Sequence, residues 1–258
     1  MNRALGTLAL ALSMTIAATA HAELTNDTLV GAGVRSRPAY DGSDSQKLEA
    51  VPVLRYFGEP WFVRSTQGPL EGGVRFELGP GLHAGAQVAY EPGRSPSESD
   101  FLASHGVSAI RRGASVGLQF EWDQKFGPMP VTLLTRVRRH TDADLGTQAD
   151  VRLSAGVFHG GPVSAGVFTQ AIWADAHATR ARYAITPQQS ADTGLATFDA
   201  GSGWMSASAG LIGSIDLSHD WIVVGSFEGR RLLGDAARSP LAERRTNHYL
   251  SVGLARRF

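Results

Sequence analysis

Nine polar side chains, Arg75, Glu77, Gln87, Glu121, Arg136, Arg138, Arg152, Glu228 and Arg230, fall in segments where polar and apolar residues alternate. Guanidiniums and carboxylates on one face of a sheet can do two things. They can pair across a narrow interior and fill it, giving structure without transport. They can also line a narrow pore whose arginines select anions or zwitterions. The sequence leaves both readings open. Covalent and metal chemistry have less support. The chain has no Cys, which removes thiol catalysis, disulfides and a lipid-anchored cysteine. No Gly-x-Ser-x-Gly elbow, His-Glu-x-x-His pair or phosphate-binding glycine loop occurs. Of the eight His, His21 lies in a leader-like segment and His83 is expected inside. His105, His140, His159, His177 and His219 fall in or near connections, and His248 at a strand end. Asp41-Gly42-Ser43-Asp44 could loosely hold calcium, but it lacks the remaining ligands of a calcium loop and reads as a solvated turn. No catalytic, cofactor-binding or metal-ligating residue is therefore assigned, and an enzyme is not expected.

The elements that must position these charges are strands. Val74, Phe76 and Leu78, then Val88 and Tyr90, Val116, Leu118, Phe120 and Trp122, Leu133 and Val137, and Val223 and Phe227 recur every second residue, with the charged set between them. A face of both charge signs opposite an apolar face suits a sheet with lipid on one side and a polar interior on the other. The chain opens with Arg3, an apolar run from Ala4 to Ala18, and Ala20-His21-Ala22, the small-x-small pattern of a secretory signal peptide. Residues 1–22 are accordingly set aside, leaving 23–258 as one domain. At the other end Leu250, Val252, Leu254 and Phe258 alternate up to a terminal aromatic, the form in which outer-membrane barrels close and are recognised for assembly.

Basic and acidic residues balance at 24 each, so nothing points to nucleic acid. Beyond the leader no apolar run approaches the roughly 18 to 20 residues of a membrane helix, so a bilayer can be crossed only by a closed sheet. Breaks in the alternation at turn residues place strands near 28–36, 48–57, 60–66, 71–79, 81–91, 110–124, 130–140, 148–158, 162–183, 203–217, 220–231 and 246–258. The expectation is an all-β, transmembrane, antiparallel up-and-down barrel of about twelve strands, with ten or fourteen left open, in the outer membrane of a Gram-negative bacterium. Short Gly- and Pro-rich turns at 58–60, 79–81, 125–129, 159–161 and 217–220 would be periplasmic. The longer connections 37–47, 92–109, 141–147, 184–202 and 232–245 would be outside, with 67–70 anomalously short. Trp61, Tyr90, Trp122, Trp173, Trp204, Trp221, Tyr249 and Phe258 lie near strand ends, where amphipathic rings settle at membrane interfaces.

Three blocks carry a resemblance. They are Pro38-x-Tyr40-x-Gly42-Ser43 followed by Pro52, then Tyr183 to Ser190 continuing through Thr193-Gly194-Leu195 to Phe198-Asp199-Ala200-Gly201-Ser202-Gly203, and Arg231-Leu232-Leu233-Gly234-Asp235-Ala236 with Ser239-Pro240-Leu241. In order and type they resemble the MipA/OmpV family of outer-membrane proteins. The chain departs from the family pattern at Ala184-Ile185, at His140 to Asp144 and at Arg256. The resemblance implies a non-catalytic barrel acting as a scaffold that brings a lytic murein transglycosylase together with a penicillin-binding synthase. Outer-membrane lipid and the barrel insertion machinery would be its other partners. Two alternatives stand beside it: a narrow porin-like channel for small polar or ionic solutes, and an adhesin using the outer loops. Read without the family, the last block is a loop folded onto the barrel, with Arg230 and Arg231 available to anchor it through Asp235 or Glu243.

Overall fold

A computed structural model describes residues 27–65 and 70–258. Residues 1–22, read above as a signal peptide, and most of the 67–70 connection lie outside the described residues. The described chain is a closed antiparallel barrel of twelve strands in sequence order, with β1 paired to β12. The strands are β1 Leu29–Pro38, β2 Gln46–Phe57, β3 Trp61–Arg64, β4 Glu71–Gly79, β5 Leu82–Glu91 and β6 Gly113–Phe126. They continue as β7 Met129–His140, β8 Thr147–Gly160, β9 Val163–Ala174, β10 Gly203–Asp216, β11 Trp221–Leu232 and β12 Thr246–Arg257.

Closure is a consequence of matched alternation. Val30, Ala32, Val34 and Ser36 of β1 stand opposite Arg256, Leu254, Val252 and Leu250 of β12, so the apolar band continues across the seam. Inside the seam stand small residues. A Cβ on Gly31 would lie 2.1 Å from the Leu254 carbonyl oxygen and 2.5 Å from the Ala255 Cα, so the tight curvature here requires glycine. Leu29, Val53, Ile222 and Ala255 pack as an apolar cluster within the barrel beside this seam.

Two rings of exposed aromatics mark the membrane boundaries. Trp61, Trp221 and Phe258 lie at the end carrying the short turns, while Tyr90 and Trp204 lie at the end carrying the long connections. Tyr249 departs from the expectation. It occupies an inward position between Leu250 and His248, both exposed, and its hydroxyl donates to Asp41 instead of meeting the interface.

The ninth strand is also shorter than its expected span of 162–183. It stops at Ala174, and Asp175 caps helix α2, Ala176–Tyr183, by accepting from the Ala178 N–H at 2.8 Å. The carboxylate also accepts from the Thr147 N–H at 2.8 Å, which ties the helix to the start of β8. An Ala-rich stretch can imitate strand alternation, and a local cap decided it. A second helix of the same connection, α3 Pro187–Thr193, has Thr186 as its cap, with a reciprocal bond from the Thr186 N–H to the Gln189 side chain.

The hairpin β3–β4 is the irregular part of the wall. β3 has four residues against twelve in β2, so pairing between them covers only Arg55, Tyr56 and Phe57. Ser65 finishes the edge: its N–H donates to the Leu54 carbonyl and its hydroxyl to the Pro52 carbonyl, at 2.9 and 2.8 Å. Pro52, with no N–H to leave unsatisfied, suits such an edge. Among the described residues the outer part of β2, 46–53, pairs with β1 alone.

The seam yields a prediction. Gly31→Val should prevent barrel closure, seen as loss of the compact, heat-modifiable band on gels after refolding into detergent. Gly203→Ala, with nothing within 4 Å of its added carbon, should fold as the parent does.

Candidate functional site

The interior is the place where chemistry-bearing residues converge, and β3 to β9 carry most of them. Arg64, at the tip of the short β3, is wholly buried; it donates to Glu71 at 2.6 Å, Glu121 at 3.0 Å and Gln119 at 2.7 Å. Glu71 also accepts from Arg136 at 2.9 Å. Arg136 in turn donates to Asp150 through two nitrogens, and Gln170 donates to the same carboxylate at 3.1 Å. The result is a continuous chain of alternating charge running around the inside of the wall. Buried ions are tolerated only when they are paired and hydrogen-bonded, and here each charge has partners of opposite sign.

The structure places the other sequence candidates around this chain. Arg75 lies 3.6 Å from Glu121 and 4.8 Å above the Phe57 ring. Arg138 reaches Asp150 at 3.5 Å and Glu91 at 3.7 Å. Arg152 bonds Gln170 at 3.3 Å and stacks 3.7 Å over Phe168. Gln87 is buried on the same face, whereas Glu77, opposite His83, is exposed at the end of its strand. Glu228 and Arg230 belong to a separate group across the barrel, where Arg230 bonds Glu228 at 2.9 Å and stacks 4.4 Å over Tyr249.

Sequence reading missed Arg64 and Glu71, the two residues at the centre of the network. Arg64 sits in a strand too short to show alternation, and Glu71 is the first residue of its strand. Only the pairing Arg64 to Glu71 across the hairpin brings them together. It also missed the outer group in which Glu49 accepts from Arg35 and Arg37, at 2.5 and 3.0 Å.

Above the lumen the long connections fold into a cap. Ala39, Tyr40, Leu102, Val107, Ile185 and Leu241 form one buried cluster, and Tyr183, Ala200, Met205, Leu232 and Ala236 belong to another. Leu102 comes from a short helix, α1 Asp100–Ser104, in the 92–112 connection. The three motif blocks meet here. The Tyr40 hydroxyl donates to Glu243 at 2.9 Å, the Ser239 hydroxyl to the Tyr183 carbonyl at 2.6 Å, and the Gly201 N–H to Asp235 at 2.7 Å.

Two expectations are corrected by this geometry. Arg230 does not anchor the last connection through Asp235 or Glu243; it reaches into the lumen mouth and pairs with Asp41 at 3.0 Å. Asp41 in consequence is no solvated turn residue but a partly buried link between the cap and β11. Desolvation works against its charge, yet Arg230, the Tyr249 hydroxyl and Arg182 outweigh it and hold the carboxyl below its ordinary value. Burial pushes the Tyr40 and Tyr183 hydroxyls upward, so both remain protonated donors.

The family model described as MltA-interacting protein MipA matches residues 30–258. No curated protein matches the sequence. A COG4313 outer membrane channel from Pseudomonas putida F1 aligns over 91% of this chain and 97% of its own, with 12% identity and a TM-score of 0.49. The NanC porin aligns over 89% and 100%, with 8% identity and a TM-score of 0.40. OprB from Pseudomonas putida aligns over 81% and 59%, with 11% identity and a TM-score of 0.39.

Two measurements check the site. Glu71→Ala strands Arg64 and Arg136 without a shared partner, and breaking such a pair should destabilise the barrel by about 3–5 kcal/mol, read as a lower urea midpoint of the heat-modifiable band. An unchanged midpoint would show that Glu121 and Asp150 suffice. At the cap, burial raises the Asp175 carboxyl but the Ala178 and Thr147 N–H groups overcome this and lower it below 3.8. Its contribution is therefore present above that value and lost as pH falls through the folded one. Asp175→Ala should cost about 1 kcal/mol locally at neutral pH, seen as faster proteolysis within 176–202, and the difference from the parent should shrink in acid.

Proposed function

We propose that this chain, which belongs to the MltA-interacting protein MipA family and is an outer-membrane β-barrel, acts as a non-catalytic scaffold for murein enzymes. The observation that carries the reading is the interior. A buried chain of paired charges under a cap of interlocked connections supports a filled, rigid barrel over a path for solutes. Such a barrel serves as a fixed platform in the membrane, and its work lies on its outer surfaces. The partner named in the family description, MltA, suggests a lytic murein transglycosylase. The resemblance adds a penicillin-binding synthase beside it. Docking belongs to the periplasmic end, where Phe126, Phe158 and Leu217 stand exposed beside the short turns. In this reading residues 1–22 are removed on export, 23–258 form the mature barrel, and Leu250, Val252, Leu254 and Phe258 are the face shown to the insertion machinery.

The reading separates from a channel in one experiment with two arms. Mature protein in planar bilayers should give no steady conductance even at high load, and the intact, detergent-extracted barrel should retain a murein transglycosylase on co-purification. A reproducible conductance altered by neutralising Arg136 or Arg152 would replace the scaffold with a narrow channel. A folded barrel that retains no murein enzyme would count against the scaffold.

A further inference from the structure

The short β3–β4 hairpin leaves a mark on the membrane side of the wall. Where β3 stops at Arg64 and β4 begins at Glu71, the outer surface is indented by a groove of about 350 Å³. Leu54, Val63, Val88 and Tyr90 border it, and the small residues Gly72 and Ala114 form part of its floor. These are outward positions: Val63, Val88 and Tyr90 are exposed, while their neighbours Phe62, Arg64 and Ala89 are buried. The groove is therefore apolar, beside the hairpin edge and open to the bilayer, the chemistry of a bed for a hydrocarbon chain.

At the outer end of this groove the wall becomes basic. Arg112 lies two residues before Ala114, and Arg139 stands opposite Val116, itself opposite Val88. Both side chains are exposed, and among the described residues neither has an acidic partner, unlike Arg111, which meets Asp142 at 3.4 Å. The distribution of sign over the described strands sharpens the point. Their acids, from Glu49 to Glu228, occupy inward positions, whereas the outward charges are Arg139, Arg231 and Arg256, all basic. Tyr90, at the groove's outer end, belongs to the interfacial aromatic ring; by register Arg112 stands two residues to the outer side of its partner Ala114 and Arg139 is level with Val88, two residues to its inner side, so the two arginines bracket the interface.

We propose that this surface is a binding site for a phosphate-bearing lipid of the outer leaflet, with an acyl chain in the groove and its phosphate between Arg112 and Arg139. A guanidinium presents paired N–H donors that match phosphate oxygens, and an arginine at a bilayer interface is most at ease against an anionic headgroup. The groove supplies what a soluble anion could not use. Small residues at its floor are what keep it open, since a larger side chain at Ala114 would occupy it.

The test uses the mature, folded barrel in detergent, titrated with the phosphorylated glycolipid lipid A and followed by native mass spectrometry. Lipid A should bind as a retained adduct. R112A/R139A should weaken it about tenfold, as expected for the loss of two charge-assisted contacts. Dephosphorylated lipid A should bind the parent as weakly as lipid A binds the double variant. Filling the groove with Ala114→Phe should weaken lipid A while leaving the heat-modifiable band intact, and Arg231→Ala, away from the groove, should leave binding unchanged. Equal binding by parent and double variant would overturn the proposal, as would equal loss with Arg231→Ala, which would mean unspecific attraction to charge. Displacement by inorganic phosphate together with no effect of Ala114→Phe would reduce the site to one for a free anion and overturn it as well.

Discussion

A strand edge in hydrocarbon has no water to satisfy its N–H and C=O groups, and each unsatisfied group costs several kcal/mol. Everything else in this molecule depends on that constraint. It obliges the chain to bring β1 against β12, residues that begin and end the described fold, with Leu29 opposite Arg257. Once the sheet is closed, the period of two divides each strand between lipid and interior, and every polar residue on the inner face is confined with the others. The glycines of the seam follow from the same cause, because a narrow closed sheet leaves no room for side chains at Gly31.

Confinement turns a list of charges into a structure. Arg64 and Arg136 share Glu71, and Arg136 continues to Asp150, so the stability of any one pair depends on its neighbours. The network is also local in an informative way. It occupies the β3 to β9 wall, while the opposite side of the lumen holds the apolar cluster of Leu29, Val53, Ile222 and Ala255. Charge pairs on one side and apolar packing on the other let inward groups of a barrel wall hold one another rather than water.

The cap extends the same logic beyond the membrane. Its first block lies more than a hundred residues before the other two in sequence, yet the Asp41 carboxylate, the Tyr183 hydroxyl and the Ser239 hydroxyl join these connections through direct bonds. Long loops in a compact protein are usually functional or packed on themselves, and these are packed. The unusual wall hairpin stands apart from this economy: it shortens the sheet at β3, and the indentation it leaves faces lipid.

What the sequence by itself determined is whatever depends on periodicity and on turn chemistry. Alternation through Val116 to Trp122 or Leu250 to Leu254, punctuated by Gly-Pro turns, specifies strand, facing and topology because neighbouring residues along a strand must point to opposite sides. Arg136, Arg138 and Arg152 were legible as inward for that reason. What only the tertiary structure decided is which inward groups meet. Glu71 binds Arg64 across a hairpin and Arg136 from a strand three places on, and Arg230 finds Asp41 rather than the nearer Asp235. The helix α2 was likewise decided by Asp175, whose carboxylate takes the Ala178 and Thr147 N–H groups where alternation would have continued the strand. Partners across a lumen are set by register, curvature and closure acting together, and none of these is written in the order of residues along one strand.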